Sequence, residues 1–461
     1  MNFTIEYGEH FLPIDCSQTV EVRGMTGSPE AISLPSSITD ALKNPIQSSS
    51  LVEVGRQKIV ANPNAQAVIV VSDNTRPVPY RGEHGIMVHI IRALLEAGFS
   101  KQQITVVIGA GSHRNMNPDE IEVMMGLKES GLHGVTVTNH EYDNEDHLIG
   151  LGVTSRGSIV KVNKLYYEAD LKIVTGLVES HFMAGASGGR KGICPGIVGK
   201  ETLTIFHGAR FLSSTQAADL VLEGNPLNDE SLEVAHMAGC DFLVNVTLNA
   251  EKRITGVYAG DLVKAHQAAV EKIREYVVVP LSHRYDIVVI PAGFVGINHY
   301  QAGKAAVEAS RAVKSGGKII IAAKNTDTDP VGGSGYKESL QLLHKHGKEK
   351  FIEMISDDGW TMIQEQWQVQ MWCKVLDRIE KPENLFYCAL EIPESEYAYL
   401  PGIPGHHLLA TAELTSATSA EDKMKTIVET ALQTAIQSYG EKIPEILVLK
   451  DGPYGIPEVD E

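Results

Sequence analysis

A chain of 461 residues with 43% hydrophobic content is too long for one ordinary core, which predicts two domains. Its formal net charge of -18 argues against a nucleic-acid surface, which needs clustered Lys and Arg, yet leaves room for a small anion held by a few local cations. The start lacks the pattern of a secretory signal and no apolar run reaches the roughly 20 residues of a membrane span; Cys16, Cys194, Cys240, Cys373 and Cys388 form no CxxC pair, which suits a reducing cytoplasm and argues against structural zinc held by cysteine.

Short β-branched runs alternate with helical stretches along the chain. The run 67–72 (AVIVVS) reads as a buried strand, 85–97 has helical spacing, 104–108 (ITVVI) reads as a strand and 118–125 as a helix. Strands follow at 171–175 (LKIVT) and 242–246 (FLVNV). A helical run over 260–276, followed by Val279-Pro-Leu-Ser-His283, marks a boundary, and a new series opens with strands at 285–290 (YDIVVI) and 318–322 (KIIIA). This order predicts two α/β domains, 1–276 and 277–461, with largely parallel sheets, helices on both faces and the active site in the cleft between domains. Ligands bind beyond the carboxyl ends of such strands, which selects four loops.

The first, Ser72-Asp-Asn-Thr-Arg-Pro, ends a hydrophobic strand with an arginine suited to phosphate or carboxylate. An Asx turn with Asp73 capping a helix explains the same residues equally well. The second, Gly109-Ala-Gly-Ser-His-Arg114, places His113 at a strand end, where a group that titrates near neutrality can act as acid or base. With 17 histidines in the chain, a capping or surface role is the competing explanation.

The third loop, His181-Phe-Met-Ala-Gly-Ala-Ser-Gly-Gly-Arg-Lys-Gly-Ile-Cys-Pro-Gly196, is too small-sided to be packing material. Its glycines at 185, 188, 189 and 192 permit unusual backbone angles and are expected to leave room for a cofactor against the main chain. Arg190 is expected to lower the pKa of Lys191 by like-charge repulsion, making the amine a nucleophile. His207, sixteen residues beyond Lys191, suits a borderline metal such as nickel or zinc, although a helix-face histidine with a local hydrogen bond is the simpler account of that residue alone. In the fourth loop, Gln301 and Lys304 share one helical face, where amide and ammonium can hold a carboxylate and a hydroxyl; a solvated face explains the spacing too.

Familiar signatures are missing. The glycine loop lacks the GxxxxGK[ST] frame, no GxGxxG opens a helix in the right place, and neither HExxH nor GxSxG occurs. The tryptophans at 360, 367 and 372 are expected to pack a core or lid.

Taken together, SDNTRP, GSH, HFMAGASGGRKGICPG, His207 and Gln301-Ala-Gly-Lys304 resemble the nickel-dependent lactate racemase family, and the match runs in order from about residue 70 to 305. The resemblance implies a nickel-pincer nucleotide (pyridinium-3,5-bisthiocarboxylic acid mononucleotide nickel) attached to Lys191, with His207 as the protein's nickel ligand. It implies that His113 and His181 are the catalytic histidines. Asp73, Thr75 and Arg76 would meet the cofactor phosphate, Arg76 also lying near substrate, while Gln301 and Lys304 would orient the substrate carboxylate and hydroxyl.

The implied reaction is racemisation or epimerisation of a 2-hydroxy acid. One histidine takes the hydroxyl proton while the Cα hydrogen leaves as hydride, giving a flat 2-oxo acid, and the second histidine serves the other enantiomer. Loading would depend on the proteins that make the nucleotide. A lactate-like substrate is expected; the alternative is a larger one, such as a dicarboxylic or sugar acid, with Asn298 and His299 as extra hydroxyl contacts. A non-catalytic carrier of the nickel nucleotide would keep Lys191, Arg76 and His207 without needing two histidines. A nucleotide-dependent enzyme would use the glycine loop for phosphates and bind ATP with magnesium.

Overall fold

Ala67–Ser72 is buried at every position but the last, as expected of a strand covered on both faces. In the computed structural model, which describes residues 2–27, 29–32, 35–249, 251–357, 359–409 and 419–460, this strand lies near the middle of a six-stranded sheet. The order is Ile254–Gly260, Phe242–Leu248, Leu171–Leu177, Ala67–Ser72, Ile104–Gly109, Thr136–Asn139, all parallel except the first pair. Helices such as Met87–Ala97 supply the apolar cover: Ile90, Ile91 and Leu94 join Ile69, Val71 and Val106 in one core. Leaving Ala67–Ser72, the chain builds outward through Ile104–Gly109 to Thr136–Asn139, then returns to its other side at Leu171–Leu177. That reversal is a topological switch point, and the loops following the two central strands flank it.

The chain divides into two compact units, 27–276 and a second made of 1–26 with 277–461. The second unit has its own six-stranded parallel sheet, in the order Ile403–Pro404, Leu385–Cys388, Val313–Ala322, Tyr285–Pro291, Ile446–Leu449, Glu21–Arg23. It reverses direction between Tyr285–Pro291 and Ile446–Leu449, so the loop after Tyr285–Pro291 sits at a switch point too.

The expected assignment of residues 1–26 to the first domain is corrected. Glu21–Arg23 is an edge strand paired with Ile446–Leu449, and the hairpin of Asn2–Tyr7 with His10–Asp15 buries Ile5 and Ile14 in the core of Ile287 and Val289. Such pairing joins residues more than 400 positions apart, and no local periodicity encodes it. Among the described residues no helix is long and apolar enough to cross a membrane, and all five cysteines are free.

Candidate active site

The loop after Ala67–Ser72 is organised by Asp73, which is buried. One carboxylate oxygen accepts from the Thr75 hydroxyl at 2.6 Å and the Thr75 amide at 3.3 Å; the other lies 2.7 Å from Nδ1 of His113. Burial raises the Asp73 pKa, but the bonds from His113 and Thr75 outweigh it and hold the carboxyl below its usual value. An ionised Asp73 accepts only, so Nδ1 of His113 carries a proton, and in the neutral form of this half-exposed ring the lone pair lies on Nε2. Arg76 is turned back to Asp73 through its amide, and its guanidinium meets Glu179 at 3.3 Å.

The loop after Leu171–Leu177 makes a short antiparallel ribbon, Ser180–His181 against Gly185–Ala186, and then a 3-10 turn over Gly189–Gly192. Nδ1 of His181 accepts from the amides of Met183 and Ala184, so a neutral ring carries its proton on Nε2. That Nε2 lies 3.3 Å from Nζ of Lys191. Burial first, then the charges of Arg76 and Arg190, push the Lys191 amine down to about 7. The repulsion expected from Arg190 is present, but it ranks third.

The glycines serve a different end from the one expected. Gly185, Gly188 and Gly189 do adopt positive φ, but a Cβ at any of them would strike protein. At Gly188 it would lie 2.9 Å from Val178 and 3.0 Å from Asn245; at Gly189 it would lie 2.6 Å from the His266 ring. Even at Gly192 it would meet Val174 at 2.5 Å. These glycines seat the loop on its own scaffold, leaving side chains to face a ligand.

Two residues that sequence reasoning missed hold this seat. Asn245, fully buried in Phe242–Leu248, accepts from the Gly189 amide at 2.9 Å and donates to the Gly176 carbonyl at 3.2 Å. His266 donates from Nε2 to the Ser187 carbonyl at 2.9 Å, and the Arg190 guanidinium lies against its ring while donating to the Ala184 carbonyl at 2.8 Å. A signal for Asn245 was available: it is the one polar side chain inside the apolar run FLVNV.

His207 closes the helix Lys200–Phe206 and sets its ring edge-on to Phe206 at 4.9 Å. Burial, then the charge of Lys191 and that of His113, push its pKa down to about 3, so the imidazole is neutral, the form in which a histidine ligates a metal. Asp73, Thr75, Arg76, His113, His181, Lys191 and His207 are thus gathered in one unit, around that unit's switch point.

Gln301 and Lys304 lie in the other unit, on the helix His299–Ala312 that follows its switch-point strand. Asn298 caps this helix, accepting from the Gln301 amide at 2.8 Å and donating to Asp327 at 2.8 Å. Oε1 of Gln301 is buried without a hydrogen-bond partner among the described residues. Beside it Tyr300 receives a hydrogen bond from Nε1 of Trp367 at 3.1 Å, a neighbour that sequence reasoning placed among packing residues.

Asn298, one expected hydroxyl contact, is committed as this cap. His299, the other, is fully buried, with Nδ1 bonded to the Tyr336 hydroxyl at 2.8 Å and its ring stacked on Trp372 at 4.8 Å, while its Nε2 has no hydrogen-bond partner among the described residues. Trp372 is core, as expected, with Nε1 donating to the same hydroxyl at 2.7 Å.

Known proteins resemble this chain in sequence and in fold. Residues 7–219 match the sequence model of the lactate racemase N-terminal domain, and 282–381 that of the lactate racemase C-terminal domain. The chain is 31% identical over 341 residues to the lactate racemase of Lactiplantibacillus plantarum, covering 74% of this chain and 77% of that protein. It is 30% identical over 385 residues to the lactate racemase of Thermoanaerobacterium thermosaccharolyticum, covering 81% and 86%. In structure it is similar to the lactate racemase apoprotein of the latter organism, with a TM-score of 0.79 at 25% identity over 99% of this chain and all of that one. A Thermotoga maritima protein shares the fold with a TM-score of 0.60 at 18% identity, over 90% and 99% of the two chains.

Proposed function

The chain belongs to the lactate racemase family, and on that premise we propose that it interconverts the enantiomers of a lactate-like 2-hydroxy acid with the help of a nickel-pincer nucleotide held on Lys191. The observation that carries this reading is two imidazoles in one unit, each oriented through Nδ1: His113 by the Asp73 carboxylate, His181 by the amides of Met183 and Ala184. Racemisation through a planar 2-oxo acid needs a base to take the hydroxyl proton and an acid to return one, and a pair of oriented imidazoles supports assigning one to each enantiomer.

The residues fit the proposed group by their donor chemistry. His207 is kept neutral, as a borderline metal requires, and Lys191 carries an amine whose lowered pKa suits covalent attachment. Arg76 adds the cation a phosphate needs. When bound, the nucleotide would supply an acceptor and donor for the Cα hydrogen as hydride. The protein's own contribution is then positional. Nε2 of His113 takes the hydroxyl proton while Asp73 stabilises the imidazolium that results; for the other enantiomer His181, once protonated from solvent to the imidazolium, returns a proton to the carbonyl oxygen and is left neutral. In the reverse direction the two rings exchange roles.

Gln301 and Lys304 are assigned the substrate hydroxyl and carboxylate, supported by the unpartnered Oε1 of Gln301. With Asn298 committed to its cap, the larger sugar-acid substrate loses one of the two contacts that recommended it. A mere carrier of the nucleotide has no use for two oriented imidazoles in the unit that holds the tether. Loading requires the proteins that make the nucleotide.

The test is to load the enzyme, incubate it with one enantiomer of lactate and of longer 2-hydroxy acids carrying deuterium at Cα, and resolve the products by chiral chromatography. Interconversion with the label retained is expected. No interconversion of any of these acids would sink the assignment, and loss of label to solvent would replace hydride transfer with proton abstraction.

A further inference from the structure

The second unit holds a cluster of metal-ligating groups that the proposed reaction does not use. Oε2 of Glu394 lies 3.0 Å from Nε2 of His406, and Oε1 lies 2.5 Å from Nε2 of His407. The three ligand atoms all fall within 4.8 Å of one another. We propose that Glu394, His406 and His407 form a binding site for a borderline divalent transition-metal ion, Zn²⁺, Co²⁺ or Ni²⁺, completed by water.

The donor set matches the ion class. Two imidazoles and one carboxylate favour borderline metals over Mg²⁺ or Ca²⁺, which take oxygen ligands, and three protein ligands with an open position is a common zinc arrangement. Bonds of about 2.1 Å in tetrahedral geometry place ligand atoms about 3.4 Å apart, so the metal needs only small side-chain adjustments here.

The imidazoles are fixed by the fold, independently of the carboxylate. They sit on the 3-10 turn Gly405–Leu408, directly after the edge strand Ile403–Pro404. Gly405 anchors the turn so closely that a Cβ there would lie 2.7 Å from both Cys388 Sγ and Ile427. The Tyr397 ring packs on both histidines, at 4.9 Å and 6.1 Å, and its hydroxyl donates to the Ala389 carbonyl. The two imidazoles meet edge to face at 4.5 Å. Little side-chain freedom is therefore left to lose on binding, the advantage of a preorganised site.

One feature of His406 sets the strength. A metal on Nε2 moves the ring proton to Nδ1, which is buried with no hydrogen-bond partner. The unpaired donor lowers affinity by roughly one to two orders of magnitude, giving micromolar rather than nanomolar binding. Once bound, the ion ties the segment after Leu385–Cys388 to the Gly405–Leu408 turn.

The experiment uses the full chain, free of any affinity tag and stripped with chelator, titrated with Co²⁺ by equilibrium dialysis and visible absorption. His207→Ala serves as the background, removing the imidazole assigned to nickel. That variant is expected to bind one Co²⁺ at this cluster with the band of a four- or five-coordinate ion, and adding H406A and H407A is expected to remove that equivalent. Glu394→Gln, whose side chain is 66% exposed and whose fold should be unaffected, is expected to weaken binding about tenfold. The proposal is overturned if the His207→Ala protein binds no Co²⁺, or if the added histidine substitutions leave stoichiometry and affinity unchanged. Should the histidine variants fail to fold, unchanged affinity in Glu394→Gln overturns it alone. Neither result depends on whether the chain is a racemase.

Discussion

Nδ1 of His113 and Oδ2 of Asp73 lie 2.7 Å apart, one at the end of Ile104–Gly109 and the other at the end of the adjacent strand Ala67–Ser72. The parallel pairing of these strands is what brings residues 40 positions apart into one hydrogen bond. The bond fixes both the orientation of the imidazole and its tautomer, so the proton-accepting atom is decided by the sheet.

Asp73→Asn should keep the geometry while losing the charge that selects the tautomer and stabilises the imidazolium. Turnover of the loaded enzyme is expected to fall by about two to four orders of magnitude, with KM little changed and the covalent cofactor retained. Steady-state kinetics paired with intact mass measures both; full activity would remove Asp73 from the mechanism.

Lys191→Ala is expected to abolish the added cofactor mass on the chain together with racemase activity. His113→Ala and His181→Ala should instead keep the mass and lose turnover. Intact-mass spectrometry separates the two classes, and loss of cofactor in both histidine variants would assign those rings to cofactor retention.

The Lys191 amine, pushed down to about 7 from the usual 10.5, predicts a distinctive pH profile in protein prepared without cofactor. Between these values the folded state binds fewer protons than the unfolded state, so this group's contribution to stability rises with pH across the window and is least favourable below 7. Acylation by a small anhydride, mapped by peptide mass spectrometry, should reach half its maximum near pH 7 at Lys191. A midpoint near that of exposed lysines would contradict the buried, repelled environment.

Gly189→Ala must place a Cβ at positive φ and 2.6 Å from the His266 ring. A cost of about 1–3 kcal/mol is expected in chemical denaturation of the protein. Asn245→Ala, which strands the Gly189 amide, should cost a similar ~1–3 kcal/mol. Tolerance of both would mean that the loop has a second way to seat itself.

Asn298→Ala separates a cap from a substrate contact. Loss of about 1 kcal/mol of stability is expected, with the preference among 2-hydroxy acids unchanged. A shift in that preference would restore Asn298 to the pocket.

The sequence by itself determined four strands of the first sheet and two of the second, because Val- and Ile-rich runs covered on two faces leave an unbroken apolar signature; shorter strands such as Thr136–Asn139, Leu385–Cys388 and Ile446–Leu449 escaped it. It also selected the strand-end loops, since ligands bind beyond the carboxyl ends of such strands. His113, Lys191 and Gln301 became candidates for that reason: each stands within or just after a strand-end loop.

Tertiary structure alone decided the rest. That Glu21–Arg23 belongs to the second unit depends on pairing with Ile446–Leu449, a contact between distant residues with no local pattern. The glycines of the Lys191 loop signalled unusual backbone, but only the positions of Val178, Asn245 and His266 show that they press against protein. Asn298 looked available because it is polar; its place as a helix cap commits it. Local sequence reports what each residue can do, and its partners in space decide which capacity is used. For His113 and His181 that decision is the position of one proton, set on the first ring by a carboxylate and on the second by two backbone amides.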